Sequence, residues 1–182
     1  ALRIQSASYF RQPDHNGAIR DDELALDLAL VLSRDDILKT VINPQDVPAD
    51  APDQRVDIKF QAQSDYWLYC LTTSVEPRLF VDFQAEACVV IHDRERFSQM
   101  LMDASRNDLS DTRFLSGPAI YVDPLLPNRA DVSMPLQLAK HFGYSYQYEY
   151  RFCWIPNSPR DQLLHHDIKV GSLEDIAELI VL

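Results

Sequence analysis

Glycine is scarce in this chain, with only 4 among 182 residues. Phosphate-binding loops need glycines because the backbone must approach the phosphates closely, and neither the Walker nor the Rossmann pattern occurs. The sequence also lacks an apolar run of about 18 residues, the length that spans a bilayer. No basic segment followed by an apolar one marks a signal peptide. We therefore expect no such nucleotide loop and no membrane partner.

Basic residues are few relative to acidic ones: 17 Lys and Arg stand against 28 Asp and Glu, a net charge of −11. Such a chain repels phosphate backbones, and its cations are scattered singly, so we expect no nucleic-acid partner. The charge is compatible with a basic protein partner, although acidity for solubility alone also explains it. The three cysteines, Cys70, Cys88 and Cys153, lie in apolar runs without a paired motif. This usage predicts buried, reduced thiols and a cytoplasmic location.

Length and composition predict one domain spanning residues 1–182, since 46% of the residues are hydrophobic. The chain opens directly on a strand-like segment, residues 2–5, which is compatible with a start inside a longer natural protein. The most regular pattern is the alternation in residues 144–155, YSYQYEYRFCWI, which predicts one long β-strand. Its aromatic face is expected to pack against helices rather than stack on nucleobases. That face comprises Tyr144, Tyr146, Tyr148, Tyr150, Phe152 and Trp154.

Further alternating or β-branched runs predict strands at residues 24–32, 56–61, 66–73, 87–91, 119–122 and 163–170. Residues 56–61 and 66–73 are predicted to form a hairpin, with the second strand central to its sheet. Residues 163–170 are expected to pair antiparallel with 144–155, and residues 176–182 are open to either strand or short helix.

Helices are predicted from capping residues and apolar spacing. Asp93 is expected to cap a helix of about 12 residues that includes Phe97 and Leu101. Shorter helices are predicted at residues 33–41 and 135–141, and loops at 6–22, 43–54, 75–84 and 107–117. The predicted fold class is α+β, a single domain with a mixed, mostly antiparallel sheet and about three short helices.

Candidate catalytic groups are few. His165 and His166 are adjacent, so on a strand their rings point to opposite faces and cannot share an ion. We predict no metal site, and no Gly-x-Ser-x-Gly motif marks a serine nucleophile. The polar face of residues 144–155 carries Gln147, Glu149 and Arg151. These side chains are interpreted either as a solvent-exposed edge with a weak Glu149–Arg151 pair or as part of a catalytic site.

Four blocks of the chain resemble a bacterial family of unknown function. The blocks are LRIQSASYF at residues 2–10, YCLTTS at 69–74, LFVDF at 79–83 followed by ACVVIHD at 87–93, and Lys140 with QYEYR at 147–151. The similarity is spread over nearly the whole chain.

Three of the same positions are also similar to the Arg–Ser–Glu arrangement of ADP-ribosyltransferases. The resemblance implies that Arg3 holds an NAD phosphate and that Thr72, beginning Thr72-Thr73-Ser74, braces the nicotinamide ribose. Glu149 would stabilise the positive charge that develops on that ribose, and Gln147 would orient the acceptor.

Two hypotheses about function follow. The first is an uncharacterised bacterial cytoplasmic domain that acts through protein contacts and needs no cofactor. The second is an NAD-dependent enzyme similar to ADP-ribosyltransferases, such as a toxin or a phage-defence effector. The sequence leaves the oligomeric state open.

Overall fold

A five-stranded antiparallel sheet lies at the centre of the fold, with the strand order β10-β1-β4-β9-β6. The computed structural model describes residues 1–33, 48, 52–123 and 134–181. The central strands are β1 (Leu2–Ser6), β4 (Trp67–Thr72), β6 (Thr112–Pro118), β9 (Glu149–Pro156) and β10 (His166–Ile168).

Three smaller two-stranded sheets accompany it within the described residues. They pair β2 (Ala25–Leu32) with β3 (Gln54–Gln61), β5 (Ala87–Ile91) with β11 (Ala177–Val181) and, in parallel, β7 (Ile120–Val122) with β8 (Ala139–His141). The described helices are α1 (Pro77–Asp82), α2 (Arg94–Ser105) and the 3-10 helices Ala7–Arg11, Leu136–Leu138 and Phe142–Gln147. The predicted α+β class with a mostly antiparallel sheet is confirmed.

One face of the central sheet packs against α2. The ring of Phe97 on α2 meets Phe152 of β9 edge to face, with 5.9 Å between centroids, and Leu101 and Trp154 belong to the same core. Asp93 accepts a hydrogen bond from the N–H of Arg96 at the start of this helix. The predicted cap, helix and helix-facing aromatic packing of Phe152 and Trp154 are therefore confirmed.

Strands β7 and β8 and the segment before β2 lie against the opposite face of the sheet. Leu26 and Leu28 of β2 pack with Val122 of β7 and Ala139 of β8. Cys153 belongs to a separate cluster with Leu68 and with Ala7 of the first 3-10 helix. Because alternate residues of β9 point to opposite faces, Glu149 and Arg151 are directed into this strand-covered layer.

The long strand predicted over residues 144–155 is wrong in its first part. Residues Phe142–Gln147 form a 3-10 helix, and Tyr148 adopts a left-handed conformation with φ of 46° before β9 begins. The tyrosine-rich sequence around Gly143 does not by itself specify a strand or a 3-10 helix. The alternation of aromatic residues therefore continues through a segment that is not extended, and Gln147 does not share a strand with Glu149.

Pairing between strands also differs from several predictions. The predicted hairpin is wrong, because β3 pairs with β2 while β4 pairs with β1 and β9. The central position of β4 is confirmed. Residues 166–168 pair with β1 instead of β9. Residues 177–181 form a strand, which resolves the alternative left open for the end of the chain.

Three predicted loops contain regular structure. Residues 6–22 include the 3-10 helix Ala7–Arg11, residues 75–84 include α1, and residues 107–117 include most of β6. The predicted helix at 135–141 is only a 3-10 turn, Leu136–Leu138, followed by β8. The predicted helix at 33–41 and most of the loop at 43–54 lie outside the described residues. Within the described part of the chain, no helix is long and apolar enough to cross a membrane.

Candidate functional site

Glu149 is buried in an ion network rather than exposed at a strand edge. Its Oε1 accepts from Lys140 Nζ, and its Oε2 accepts from Nε of Arg151 at 2.9 Å. Its side chain is 10% exposed. The expectation of a weak, exposed Glu149–Arg151 pair is therefore wrong, because β7 and β8 bring Tyr121 and Lys140 against Glu149.

Arg151 is fully buried and every nitrogen of its guanidinium has a partner. Besides Glu149, it contacts both carboxylate oxygens of Glu23, at 2.8 and 2.9 Å. Its Nη1 also donates to the backbone oxygens of Gln137 and Ala139, each at 3.0 Å. A buried guanidinium is tolerated only when its donors are satisfied in this way.

Gly117 makes room for one of these contacts. It lies opposite Arg151 in the β6–β9 register, and a Cβ there would stand 3.2 Å from Cδ1 of Leu138. The missing side chain leaves room for the side chain of Leu138. In the same turn, the backbone oxygen of Gln137 accepts from Arg151.

Lys140 and Asp21 complete the buried ion network, which we define as Asp21, Glu23, Lys140, Glu149 and Arg151. Lys140 Nζ lies 3.6 Å from Glu23 and 3.8 Å from Asp21. Three carboxylates thus face two cations. Sequence reasoning missed Asp21, Glu23 and the ionic role of Lys140, because their common location depends on contacts between distant segments.

The buried ion network shifts the pKa values of Glu149, Lys140 and Asp21. Burial would raise the pKa of Glu149, but Arg151 and Lys140 outweigh it and hold this pKa below its ordinary value. Burial would lower the pKa of Lys140, yet Glu23 and Glu149 raise it. For Asp21, burial and then the Glu23 carboxylate raise the pKa to about 6.

A cavity of about 290 Å³ opens beside the network. A second cavity, of about 390 Å³, lies against Arg78 and Tyr146. The first is lined by Asp21, Asp22, Glu23, Ala25, Leu26, Asp27, Leu136, Ala139, Lys140 and His141.

The four residues proposed as a catalytic and NAD-binding set are only partly brought together. Thr72 lies directly opposite Glu149 in the β4–β9 register. Its hydroxyl donates to the backbone oxygen of Ser74. Arg3 is exposed on β1, where it forms an ion pair with Asp167 at 2.9 Å. Gln147 is buried in a 3-10 helix, and its side-chain nitrogen donates to the backbone oxygen of Ala18. None of these four residues lines either cavity.

The cysteines are unpaired thiols, with Cys153 buried and Cys70 and Cys88 partly so. Burial raises the pKa of Cys70 well above its ordinary value and that of Cys153 to about 12. Neither thiol is therefore an activated nucleophile at neutral pH. Among the described residues, no three His, Cys, Asp or Glu side chains are grouped as a metal site requires.

A second notable surface is the two-stranded ribbon of β5 and β11. In the described chain, β11 hydrogen-bonds to β5 only, so its outer edge is open. Leu179 and Val181 are 67% and 69% exposed, and Val89, opposite Leu179, is 56% exposed. These three side chains share one face of the ribbon.

Comparison with family models, with curated proteins and with solved structures found no match to this chain.

Proposed function

We propose that the chain is a protein-contact domain that binds an extended segment of a basic partner along the open edge of β11. The observation that carries this proposal is the exposed apolar edge strand, whose sequence is AELIV. Edge strands are normally protected by lysine, proline or a bulge, because they otherwise pair with other chains. β11 contains no lysine or proline, and its one charged residue is Glu178.

The ribbon has only two strands, which supports the same proposal. A two-stranded sheet is only marginally stable unless a further strand or helix covers it. Ile91 and Ile176 anchor one end in the core, whereas Leu179 and Val181 remain exposed at the other. A third strand added to β11 would satisfy its outer amides and carbonyls and place its own side chains beside Leu179 and Val181.

Charge favours a basic partner over a second copy of this chain. Each copy carries a net charge of −11, and like charges oppose self-association. Glu174, Asp175 and Glu178 lie at one end of the ribbon and are exposed. Lysine or arginine residues flanking an apolar strand would complement them.

A synthetic peptide of alternating valine and threonine, with two lysines at each end, tests this proposal. The peptide should slow amide hydrogen exchange at residues 178–181. Leu179→Lys should weaken binding about tenfold, which corresponds to roughly 1.4 kcal/mol. Val75→Lys is the matched control, since Val75 is also 67% exposed but belongs to neither strand of the ribbon. It should leave binding unchanged.

Other outcomes would reject the proposal. A glutamate-flanked peptide that binds equally well would remove the argument for a basic partner. A stable dimer in light scattering, dissolved by Leu179→Lys, would identify a second copy as the occupant. Equal weakening by both lysine variants would mean that the open edge is not the binding site.

The register of Thr72 and Glu149 favours a second candidate, NAD-dependent ADP-ribosyl transfer. Glu149 is held ionised, as a carboxylate that stabilises a developing cation must be. Both of its oxygens are occupied by Lys140 and Arg151, so a substrate would have to displace one of them.

Release of nicotinamide from NAD is the measurement for this candidate. No release by the native protein, or equal release by Glu149→Ala, would exclude it. Because Glu149→Ala leaves two buried cations with fewer partners, Thr72→Ala is a second variant. Thr72 is exposed, and its replacement should reduce release without unfolding the protein.

A further inference from the structure

The buried ion network contains one more carboxylate than it has cations. Arg151 contacts Glu23 and Glu149, and Lys140 contacts Glu149 most closely. Asp21 remains, and its nearest cation is Lys140 at 3.8 Å. Its side chain is 18% exposed, the most accessible of the three carboxylates. Of the three carboxylates, Asp21 is therefore the least closely paired with a cation and the most accessible to water.

Positively and negatively charged side chains both lie near Asp21. Lys140 and Arg151 attract its ionised form, whereas Glu23 repels it, and burial disfavours it most of all. The ionisable groups that interact with it or line the cavity beside it are Asp22, Glu23, Asp27, Lys140, His141, Tyr144 and Arg151. Since Lys140 is already shared with two other carboxylates, the site holds Asp21 more readily as a neutral acid.

We propose that Asp21 is a proton-operated latch, which holds residues 20–22 against β8 when protonated and releases them toward solvent when ionised. An ionised Asp21 regains its hydration by moving outward across the cavity beside Lys140. Glu23 keeps its contacts with Arg151, so the movement is local and the central sheet stays intact. This latch is independent of the open edge of β11.

Hydrogen bonds to the backbone hold residues 20–22 in place. The N–H groups of Arg20 and Asp21 donate to the backbone oxygens of Asn16 at 2.9 Å and Phe10 at 3.1 Å, and the Tyr144 hydroxyl donates to that of Arg20 at 2.7 Å. Asp22 pairs with Arg11 at 3.1 Å, with both side chains more than 40% exposed. Such partly exposed contacts are the kind that open without global unfolding.

Amide hydrogen exchange of residues 20–22, corrected for the intrinsic effect of pH, measures the latch directly. The opening constant should rise as pH increases from 4 to 7, by on the order of 100-fold if the open segment titrates with an ordinary Asp pKa. In Asp21→Asn, which is neutral and nearly isosteric, the opening constant should stay low throughout. Asp22→Asn is the matched control and should retain the native pH dependence.

The carboxyl carbon of Asp21, followed by NMR, supplies a second readout. Its chemical shift should change with a midpoint above the ordinary pKa of 3.8 and no higher than about pH 6. A midpoint at that ordinary pKa, an opening constant that does not depend on pH, or a dependence that survives in Asp21→Asn would each overturn the proposal.

Discussion

The guanidinium of Arg151 and the carboxylate of Glu23 face each other through two contacts of 2.8 and 2.9 Å, although 128 positions separate them in the chain. The pair joins β9 to the segment that leads into β2. Two parallel contacts fix the relative orientation of these segments as well as their distance. The strand-covered layer is thereby anchored to the central sheet through a polar contact.

Removal of Arg151 should strongly destabilise the fold. Arg151→Met leaves Glu23 and Glu149 buried with one cation fewer, and we expect a loss of about 3–5 kcal/mol in the free energy of unfolding. Arg151→Lys keeps the charge but cannot contact Glu23 through two nitrogens, so it should also destabilise. Urea denaturation measures both. A loss below about 1 kcal/mol for Arg151→Met would show that the network is not needed for stability.

Arg55→Met is the matched control for that experiment. Arg55 pairs with Asp57 at 2.9 Å, but both side chains are more than 60% exposed. Exposed pairs contribute about 0–1 kcal/mol. The control should therefore change the free energy of unfolding only slightly.

Asp21 should make stability fall as pH rises. Its pKa is about 6 in the folded protein against 3.8 ordinarily, so the folded state binds a proton more tightly than the unfolded chain. This contribution is fully present below the unfolded pKa and is lost as pH rises through about 6. Its size is up to roughly 3 kcal/mol.

Comparison of the native protein with Asp21→Asn isolates this contribution. At pH 7 the variant should be more stable than the native protein, and at pH 4 the two should differ little. Thermal denaturation across that range measures the difference. Native stability that rises relative to the variant between pH 4 and 7 would have the opposite sign and would contradict the prediction.

Phe97 should be the most sensitive apolar position on α2. It is fully buried against Phe152 and Tyr69. Phe97→Ala should cost about 3–5 kcal/mol, since it removes a large side chain and leaves a cavity. Met102→Ala on the same helix, where Met102 is 37% exposed, should cost much less. Similar losses for the two variants in urea denaturation would argue against α2 as the main cover of this face.

Ser105 should stabilise the folded protein through a single hydrogen bond. The indole N–H of Trp154 donates to its hydroxyl at 2.9 Å, and both side chains are buried. Ser105→Ala leaves this donor without its partner, which should cost about 1–3 kcal/mol. Ser110→Ala, at an exposed position, serves as the control. An unchanged free energy of unfolding for Ser105→Ala would indicate that another acceptor replaces the hydroxyl.

Local patterns in the sequence predicted those elements whose conformation depends on nearby residues. The cap at Asp93 and the spacing of Phe97 and Leu101 identified α2 correctly. β6 was missed, because its sequence TRFLSGP has few strand-favouring residues and becomes a strand through pairing with β9. The alternation of side chains in the sequence shows no break at Tyr148, although the chain changes there from a 3-10 helix to β9.

The site was less predictable than the fold. Glu149 was singled out, but as a surface or catalytic group rather than as a buried ion-pair partner. Its burial depends on contacts with Lys140 and with Tyr121 of β7, and neither follows from the spacing of residues 147–151. The alternation along β9 correctly placed Glu149 and Arg151 on one face, but it contained no information about what covers that face.

The order of strands in the central sheet has a consequence for how the chain folds. Every neighbouring pair joins segments distant in sequence, and even the nearest pair, β6 and β9, is separated by residues 119–148. No local hairpin can therefore start this sheet, and long loops must close before any of its ladders form. Such topologies fold slowly, on the millisecond-to-second scale for small domains. During synthesis, β1 stays unpaired until β4 and β10 have been made, and chaperones can bind its unpaired backbone in that interval.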